Sequence, residues 1–240
     1  MGTNVRDMRI VSCGDIHGRT IWKDIVGKEL ESSDRIIFIG DYFDTHYDET
    51  PEQQLSNFNE IVKFKKDNMD KVILLIGNHD MHYLSDVNES YSGFQYGWYK
   101  QFNEALESAL AEDLMQMCYV YDKYVFTHAG VTNTWCEEYD VNKEPTMLQD
   151  SINNLFKNNK YAFYFQMGYN YSQSGDDVTQ SPLWVRLPSL FQDKLIGFTF
   201  VVGHTTLKEL TITENVIGID CLGTTGEYLI IENNMPKSSK

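Results

Sequence analysis

Seven short runs rich in β-branched and aromatic residues alternate along this chain with segments that have the spacing of amphipathic helices. The runs cover residues 9–13, 35–39, 72–76, 124–127, 198–202, 216–220 and 228–231. The helical segments cover residues 20–30, 51–68, 98–114 and 146–158. Short apolar runs separated by helices are typical of strands buried inside a layered protein. The alternation therefore predicts an α/β fold with interior sheets.

The composition is that of a folded domain. With 240 residues, of which 42% are hydrophobic, the chain can bury a sizeable core. We predict one domain over residues 1–232, with loop insertions around 86–98 and 169–181, and a flexible tail at 233–240. No apolar run approaches the roughly 20 residues needed to cross a bilayer, and the N-terminus lacks the apolar region of a signal peptide. We therefore expect a cytoplasmic protein with no membrane partner.

The net charge limits which partners the protein can bind, and the cysteine spacing indicates the state of its thiols. Twenty Lys and Arg stand against 35 Asp and Glu, which leaves a formal net charge of −15. Because binding of long nucleic acid depends on basic patches, no such partner is expected. The four cysteines are scattered without C-x-x-C spacing, so we expect reduced core thiols rather than disulfides or a zinc cluster.

Five of the predicted strands end in a glycine next to polar side chains. The motifs are GDIHG at 14–18, GDYFD at 40–44, GNHD at 77–80, THAG at 127–130 and GHT at 203–205. Ligands of open α/β sheets collect beyond the carboxyl ends of strands, so these turns should meet in one crevice. They would bring together Asp15, His17, Asp41, Asn78, His128 and His204. Such a mixed set of oxygen and imidazole donors suits divalent Mn, Fe, Zn or Ni better than calcium.

The ordered series of five motifs resembles the calcineurin-like metallophosphoesterases, especially the branch of the phosphoprotein phosphatases and their bacterial and phage relatives. The motifs extend from Asp15 to Thr205, nearly the whole domain. Each motif alone is weakly specific, whereas all five in this order at strand ends are strongly specific. The resemblance implies a four-layer αββα sandwich, in which two central mixed sheets are flanked by helices.

The resemblance also implies a dinuclear metal centre and a role for each matching residue. One divalent ion, with Mn²⁺ favoured, would be held by Asp15, His17 and Asp41. Asp41 would bridge to a second ion, which Asn78, His128 and His204 would also hold. Two such ions can share a hydroxide and clamp the oxygens of a phosphoryl group. His79 matches the general acid that protonates the leaving group, and Asp44 the carboxylate that orients it.

The chain also departs from the family pattern near the substrate. Thr45 and His46 stand where phosphoprotein phosphatases usually have Arg-Gly, so one phosphate-binding arginine is missing. His46 either replaces it in part or faces solvent. Arg186 resembles the arginine of a W-x-R element in bacterial members, with a surface ion pair as the alternative. Together with Asn78, these residues are the predicted substrate-binding set.

Three further features stay open at this stage. Arg19 either touches the substrate or, more simply, faces solvent near a helix N-terminus. His82 is expected to lie on a helical turn outside the chemistry. The aromatic residues between 161 and 171 could stack a nucleobase, although core packing and loop anchoring are the simpler expectation.

The favoured function is therefore hydrolysis of phosphomonoesters, including phosphoserine, phosphothreonine or phosphotyrosine in a protein. The alternative within enzymes is a dinucleoside polyphosphate or nucleotide hydrolase. A third possibility is a scaffold that binds a partner without turnover. Scaffolds lose ligands, whereas this chain retains every expected ligand and the general acid, which favours an enzyme acting on a phosphorylated protein or a small phosphoester.

Overall fold

A computed structural model describes residues 7–45, 47–166 and 175–240. The strands are β1 (Ile10–Cys13), β2 (Arg35–Phe38), β3 (Val72–Leu75), β4 (Met115–Gln116), β5 (Tyr119–Tyr121), β6 (Tyr124–Phe126), β7 (Thr199–Val202), β8 (Thr211–Ile212), β9 (Val216–Gly218), β10 (Leu229–Glu232) and β11 (Met235–Ser238). The α-helices are α1 (Trp22–Glu29), α2 (Pro51–Asp67), α3 (Asn78–Met81), α4 (Tyr99–Ala111), α5 (Asn133–Glu138), α6 (Leu148–Asn158) and α7 (Leu187–Asp193). Short 3₁₀ helices cover Tyr96–Trp98 and Lys160–Phe163.

The strands form two mixed sheets. The first has the order β11-β10-β1-β2-β3-β4, and the second has the order β5-β6-β7-β9-β8. Strands β1 to β4 run parallel, as do β6, β7 and β9, while the antiparallel pairs lie toward the edges. Buried side chains from both sheets, such as Ile37 and Val201, form one apolar cluster between them. Two mixed sheets flanked by helices confirm the predicted fold class.

The first sheet shows why the predicted site lies where it does. In an all-parallel block every strand ends at the same edge, so the turns after β1, β2 and β3 are neighbours. Helix α2 then follows the second turn from a well-defined start. The Thr50 side chain accepts a hydrogen bond from the Gln53 backbone, the Gln53 side chain accepts one from the Thr50 backbone, and Pro51 occupies the first turn.

All seven predicted strands and four predicted helices are present, with ends shifted by at most a few residues. The sequence prediction missed the short elements β4, β5, β8, α3, α5 and α7. These contain two to seven residues, which is too few for a hydrophobic period to be recognised. Between 86 and 98 the chain is irregular apart from the 3₁₀ turn, and of the predicted 169–181 insertion only 175–181 lies within the described residues.

The C-terminal segment differs from the predicted flexible tail. Met235–Ser238 pairs with β10 as an antiparallel edge strand. Asn233 and Asn234 connect the two strands with φ angles of 52° and 58°, the left-handed conformation that a two-residue hairpin turn requires. Asn adopts this conformation at low cost. The strand itself contains Pro and Lys instead of an alternating apolar pattern, which is why the sequence did not reveal it.

The structure also bears on the cysteines and on the search for membrane-spanning helices. All four cysteines are buried and free, as predicted: Cys13, Cys118, Cys136 and Cys221. Across the part of the chain that the structure describes, no helix combines the length and apolar character needed to cross a membrane.

Candidate metal centre

The predicted motif turns come together where the two sheets meet. His17 donates its backbone N–H to the Asp41 carbonyl over 2.6 Å, which joins the turns after β1 and β2. In the second sheet, the backbone N–H of Gly203 donates to the His128 carbonyl over 2.7 Å. The His204 backbone N–H lies 3.1 Å from Asp15 Oδ2 and thereby links the two sheets.

Two glycines are required because carboxylates lie directly against them. A Cβ atom at Gly77 would stand 2.1 Å from Asp41 Oδ1. A Cβ atom at Gly203 would stand 2.0 Å from Asp15 Oδ1. Real Cβ atoms do not approach oxygen so closely, so only glycine lets these strand ends pass beneath the two carboxylates.

Four of the predicted site residues have a left-handed backbone. The φ angles are 44° at His17, 54° at Asp41, 59° at Asp44 and 61° at His204. Non-glycine residues in this region carry a conformational cost, and such strained residues concentrate at functional sites. Three of these residues, His17, Asp41 and His204, line one cavity. The fourth, Asp44, contacts the ring of His79 in the wall of that cavity. The conformational cost is thus concentrated at the site where chemistry is predicted.

Asp15, His17 and Asp41 form the first donor group. His17 Nε2 lies 3.6 Å from Asp41 Oδ2 and 4.0 Å from Asp15 Oδ2. The other ring nitrogen, His17 Nδ1, lies 2.8 Å from the Phe43 carbonyl oxygen. A carbonyl at that distance holds the proton on Nδ1, so Nε2 presents its lone pair to the carboxylates. A hydrogen bond of this kind, from the ring nitrogen that does not face the metal site, orients metal-ligating histidines.

The second donor group shares Asp41 with the first. His128 Nε2 lies 3.3 Å from Asp41 Oδ2 and 2.8 Å from Asn78 Oδ1. His204 Nδ1 lies 3.1 Å from the same Asn78 oxygen. The Ile39 carbonyl, 3.0 Å from His128 Nδ1, orients that ring as Phe43 orients His17. All six predicted ligands therefore converge in two groups that have Asp41 in common.

Burial makes this cluster electrostatically unusual. Burial acts to raise the pKa of Asp41, but the His128 and His79 imidazoles beside it hold that pKa well below its usual range. Burial lowers the pKa of His17 to about 4. Burial also acts to lower the pKa of His128, yet the carboxylates of Asp41 and Asp15 raise it to about 10.

The donor chemistry fits divalent metal ions. Carboxylates, an amide oxygen and imidazoles face one another at 2.8–3.6 Å within the shared groups, and neutral or anionic forms of all of them are metal ligands. The buried Nε2 atom of His204 has no hydrogen-bond partner among the described residues, so its ring is not held by protein contacts on that side. A cation would also offset the crowded carboxylates.

Asp80 organises the centre, although the sequence prediction assigned it no role. Its Oδ2 atom accepts hydrogen bonds of 2.8 Å from the backbone N–H groups of Asp41 and Gly77, and its Oδ1 atom accepts one of 2.7 Å from Tyr42. Asp80 thus joins the turns after β2 and β3 and fixes the backbone of Asp41. Burial and the nearby Asp41 raise the pKa of Asp80 to about 7.

Asp44 contacts the ring of His79, as expected for the carboxylate that the sequence resemblance assigns to orienting this histidine. His79 Nδ1 is 2.9 Å from Asp44 Oδ2, and Tyr83 donates its hydroxyl to Asp44 Oδ1 over 2.5 Å. Burial acts to lower the pKa of His79, but the carboxylates of Asp41 and Asp44 raise it overall. The ring is therefore biased toward the protonated form that a proton donor needs.

His82, for which the sequence predicts a place on a helical turn and no catalytic role, contacts Asp44 in the structure. Its ring is fully buried, and Nε2 lies 2.6 Å from Asp44 Oδ2. The carboxylate of Asp44 is thus held between His79, His82 and Tyr83. A spacing of three residues between His79 and His82 on a short helical turn is the signal that could have indicated this shared partner.

A cavity of about 450 Å³ opens above these groups. Its wall includes Asn78 and His79, together with the half-buried Arg186. The Nη1 atom of Arg186 lies 3.5 Å from the His204 carbonyl oxygen, and the Trp184 ring packs edge-on against the His204 ring at 5.7 Å. The structure thus brings Arg186 to the centre, whereas His46 lies outside the described residues.

The aromatic segment packs largely inside the protein. Phe163 is fully buried, and Phe165 packs against Trp184 with 5.2 Å between ring centroids. Tyr161 is exposed, while Tyr169 and Tyr171 lie outside the described residues. The described contacts agree with packing and loop anchoring rather than with an open stacking surface.

The two-sheet α/β fold, with this donor set at its strand ends, defines the class of the metallophosphoesterases. The family model of the calcineurin-like phosphoesterases matches residues 8–215. The chain therefore belongs to the calcineurin-like phosphoesterase family, which uses divalent metals. A comparison with curated proteins gave no match.

Two solved structures of phosphatases share the fold. A cold-active protein-tyrosine phosphatase of the psychrophile Shewanella sp. has 16% sequence identity and a TM-score of 0.62, with 97% of this chain and 80% of that chain covered. A protein serine/threonine phosphatase from Saccharomyces cerevisiae, with similarity to human PP5, has 12% identity and a TM-score of 0.53. That match covers 96% of this chain and 75% of the yeast chain. At such identities the likeness establishes the fold alone.

Proposed function

We propose that this protein is a metal-dependent phosphatase that hydrolyses phosphomonoesters, with His79 as the general acid. The observation that carries the proposal is the convergence of two donor groups on Asp41 Oδ2, with His79 beside them in the same cavity. His79 also touches the centre through its backbone, which donates to Asp41 Oδ1 over 2.9 Å. This hydrogen bond links the predicted proton donor directly to the carboxylate that both donor groups share.

The predicted ligands would hold two divalent ions, one in each donor group. Bound there, the ions would supply an activated water and neutralise charge on the phosphoryl group. The protein contributes preorganisation: carbonyls orient His17 and His128, and Asp80 fixes the backbone of Asp41. Because Asn78 is a neutral donor, the loaded centre would carry excess positive charge on an otherwise acidic protein, which favours an anionic substrate.

His79 would transfer a proton to the leaving oxygen. Asp44 engages Nδ1, so the other ring nitrogen, Nε2, is the one that can deliver the proton toward the cavity. Asp44 and Asp41 favour the protonated ring, and the imidazolium is stabilised until the ester bond breaks. His82 contacts the same Oδ2 atom of Asp44, and Tyr83 donates its hydroxyl to Oδ1, so both side chains help to hold the carboxylate in place.

We propose a phosphorylated protein side chain as the substrate class. Support comes from the phosphatase branch of the sequence resemblance and from the two protein phosphatases that share the fold. Arg186 would contact the phosphoryl oxygens, in compensation for the arginine that Thr45 and His46 replace.

Metal removal tests the proposal directly. We expect exhaustive chelation to abolish turnover of an aryl phosphate and Mn²⁺ or Ni²⁺ to restore it, because the donor set contains no thiolate and should exchange its ions. Turnover is measured before chelation, after it and after each metal is added back, with metal content determined on the same samples. Full activity in a sample shown to hold no metal would contradict the proposal.

Replacing Arg186 tests the phosphate contact. A guanidinium binds phosphate through a planar bidentate fork, so Arg186→Ala should cost about 2–4 kcal/mol in kcat/KM for a phosphomonoester. Arg186→Lys should recover only part, because it keeps the charge but loses the fork. Metal content and Tm serve as controls. A loss below about threefold would instead match a surface ion pair worth about 0–1 kcal/mol.

A further inference from the structure

Arg19, which follows the GDIHG motif directly, lines the same cavity as the metal centre. Its Nη1 atom donates to the carbonyl oxygens of Asp15 and Ile16 over 3.2 and 3.3 Å. The sequence favoured an Arg19 side chain that faces solvent, but in the structure the side chain does not extend into solvent. It folds back over the loop that carries two predicted ligands.

The guanidinium of Arg19 packs against the ring of Tyr47 and the backbone of Gly223. Its Cζ atom lies 4.8 Å from the centroid of the Tyr47 ring. A Cβ atom at Gly223 would stand 2.6 Å from Nη2, 2.9 Å from Cζ and 3.1 Å from Nε. The guanidinium therefore occupies space that a side chain at residue 223 would fill. Its contacts with Gly223 and with the Tyr47 ring restrict its orientation.

One edge of this guanidinium has no acceptor within the part of the chain that the structure describes. Arginine offers five N–H donors, and the contacts to Asp15 and Ile16 use only Nη1. Among the described residues, no carboxylate forms an ion pair with Arg19, and no acceptor is engaged by Nε or Nη2. An Nε–Nη2 edge is the fork that binds a carboxylate or phosphate through two parallel hydrogen bonds.

Besides the predicted ligands, one acidic side chain among the described residues of the cavity wall could compete for Arg19. Asp220 lines the same wall, and the residue is only 6% exposed. Burial raises the pKa of Asp220, while a hydrogen bond from Thr206 and the nearby Arg19 act to lower it. Among the described residues, however, Asp220 and Arg19 form no ion pair. Asp220 therefore leaves the fork of Arg19 available to a ligand.

We infer that Arg19 forms a second anion subsite, which binds an anionic group that the substrate carries in addition to the phosphoryl group being hydrolysed. The inference rests on the proposed function and extends it. Two arginines line the same cavity at different places: Arg186 lies next to His204, and Arg19 lies next to Asp15. A substrate with one phosphoryl group occupies the centre and Arg186. The fork of Arg19 then requires a second anion, supplied by a carboxylate next to the phosphorylated residue or by a second phosphate.

Substrate pairs that differ only in the second anion test this subsite. One pair is a phosphopeptide with Asp or with Asn after the phosphorylated residue. The other pair is a nucleoside 3′,5′-bisphosphate and the nucleoside 3′-monophosphate, in which the same 3′ ester bond is hydrolysed. Wild-type kcat/KM should favour the member with the additional anion in at least one pair. Arg19→Ala should reduce that preference by about 10–100-fold, and Arg19→Lys should restore only part of it.

Two further variants control for charge and position. Arg35→Ala removes the same charge from a half-buried arginine that bonds the Asp34 carbonyl, outside the described cavity wall, and should leave the preference unchanged. Gly223→Ala keeps the charge of Arg19 but displaces its guanidinium, so it should weaken the preference as Arg19→Ala does. Metal content and Tm are measured for every variant.

The possible outcomes distinguish a carboxylate from a phosphate as the second anion, and failure of this inference from failure of the proposed function. Loss of preference confined to the peptide pair identifies a carboxylate, and loss confined to the nucleotide pair identifies a phosphate. Equal loss of kcat/KM on all substrates, including an aryl phosphate, would show that Arg19 only supports the metal-binding loop and would overturn the inference. A wild-type enzyme that ignores the second anion would also overturn it. Absence of wild-type turnover of the aryl phosphate with metal supplied would overturn the proposed function, and the subsite with it.

Discussion

Asp41→Asn is expected to lower kcat for an aryl phosphate by on the order of 10³ or more and to reduce the bound metal. The reason is the position of one oxygen atom, Oδ2, which lies 3.6 Å from His17 Nε2 and 3.3 Å from His128 Nε2. An amide in its place would present one neutral oxygen to two donor groups. Both groups would lose their common anionic ligand, so the effect should exceed that of replacing a ligand in one group.

Activity, metal content and Tm measured on the same preparations check this expectation. Asp67→Asn is the matched control, since it removes the same charge from an exposed side chain that pairs with Lys63 on α2. It should leave activity and metal content at the wild-type level. If Asp41→Asn retained the full metal content and lost little activity, Asp41 would not be the shared ligand.

His79→Asn is expected to have the second largest effect, and the size should depend on the leaving group. With a poor leaving group such as a serine alkoxide, kcat should fall by roughly 10²–10⁴, because the departing oxygen needs a proton in the transition state. With nitrophenolate, which departs as a stable anion, the loss should be much smaller. Metal content should change little, since the donor groups around Asp41 do not include the His79 ring.

The comparison between the two leaving groups is the internal control for His79. It uses one protein preparation, so differences in folding or metal loading cancel. A structural role would reduce turnover of both substrates to the same extent. Equal losses on the serine phosphate and the nitrophenyl phosphate would therefore show that His79 is not the general acid.

Much of the fold was accessible from the sequence because its signals are local. A buried strand that ends in glycine and a polar residue is visible in four or five consecutive letters, as in the GNHD motif at 77–80. Helix α2 was predicted to within one residue, since Pro51 marks its start and its pattern extends over 17 residues. Elements of two or three residues, such as β4 and β8, contain too little pattern for such recognition.

The roles of His82, Asp80 and Arg19 could not be predicted in the same way, because each depends on a partner distant in the chain or on three-dimensional direction. His82 reaches Asp44, 38 positions earlier, only because β2 and β3 are adjacent and parallel. Asp80 bonds the Asp41 backbone for the same reason. The position of Arg19 depends on the packing of Gly223, more than 200 residues away.

The sequence by itself determined the order of strands and helices, the identity of the donor side chains and the turns on which they stand, since these follow from local composition and periodicity. Tertiary structure alone decided which oxygen of Asp41 both donor groups share, which side chains hold Asp44, and where the guanidinium of Arg19 comes to rest. The physical reason is that strand ends are specified by short stretches of chain. Distances and directions between side chains of different strands are specified only when the sheets pack.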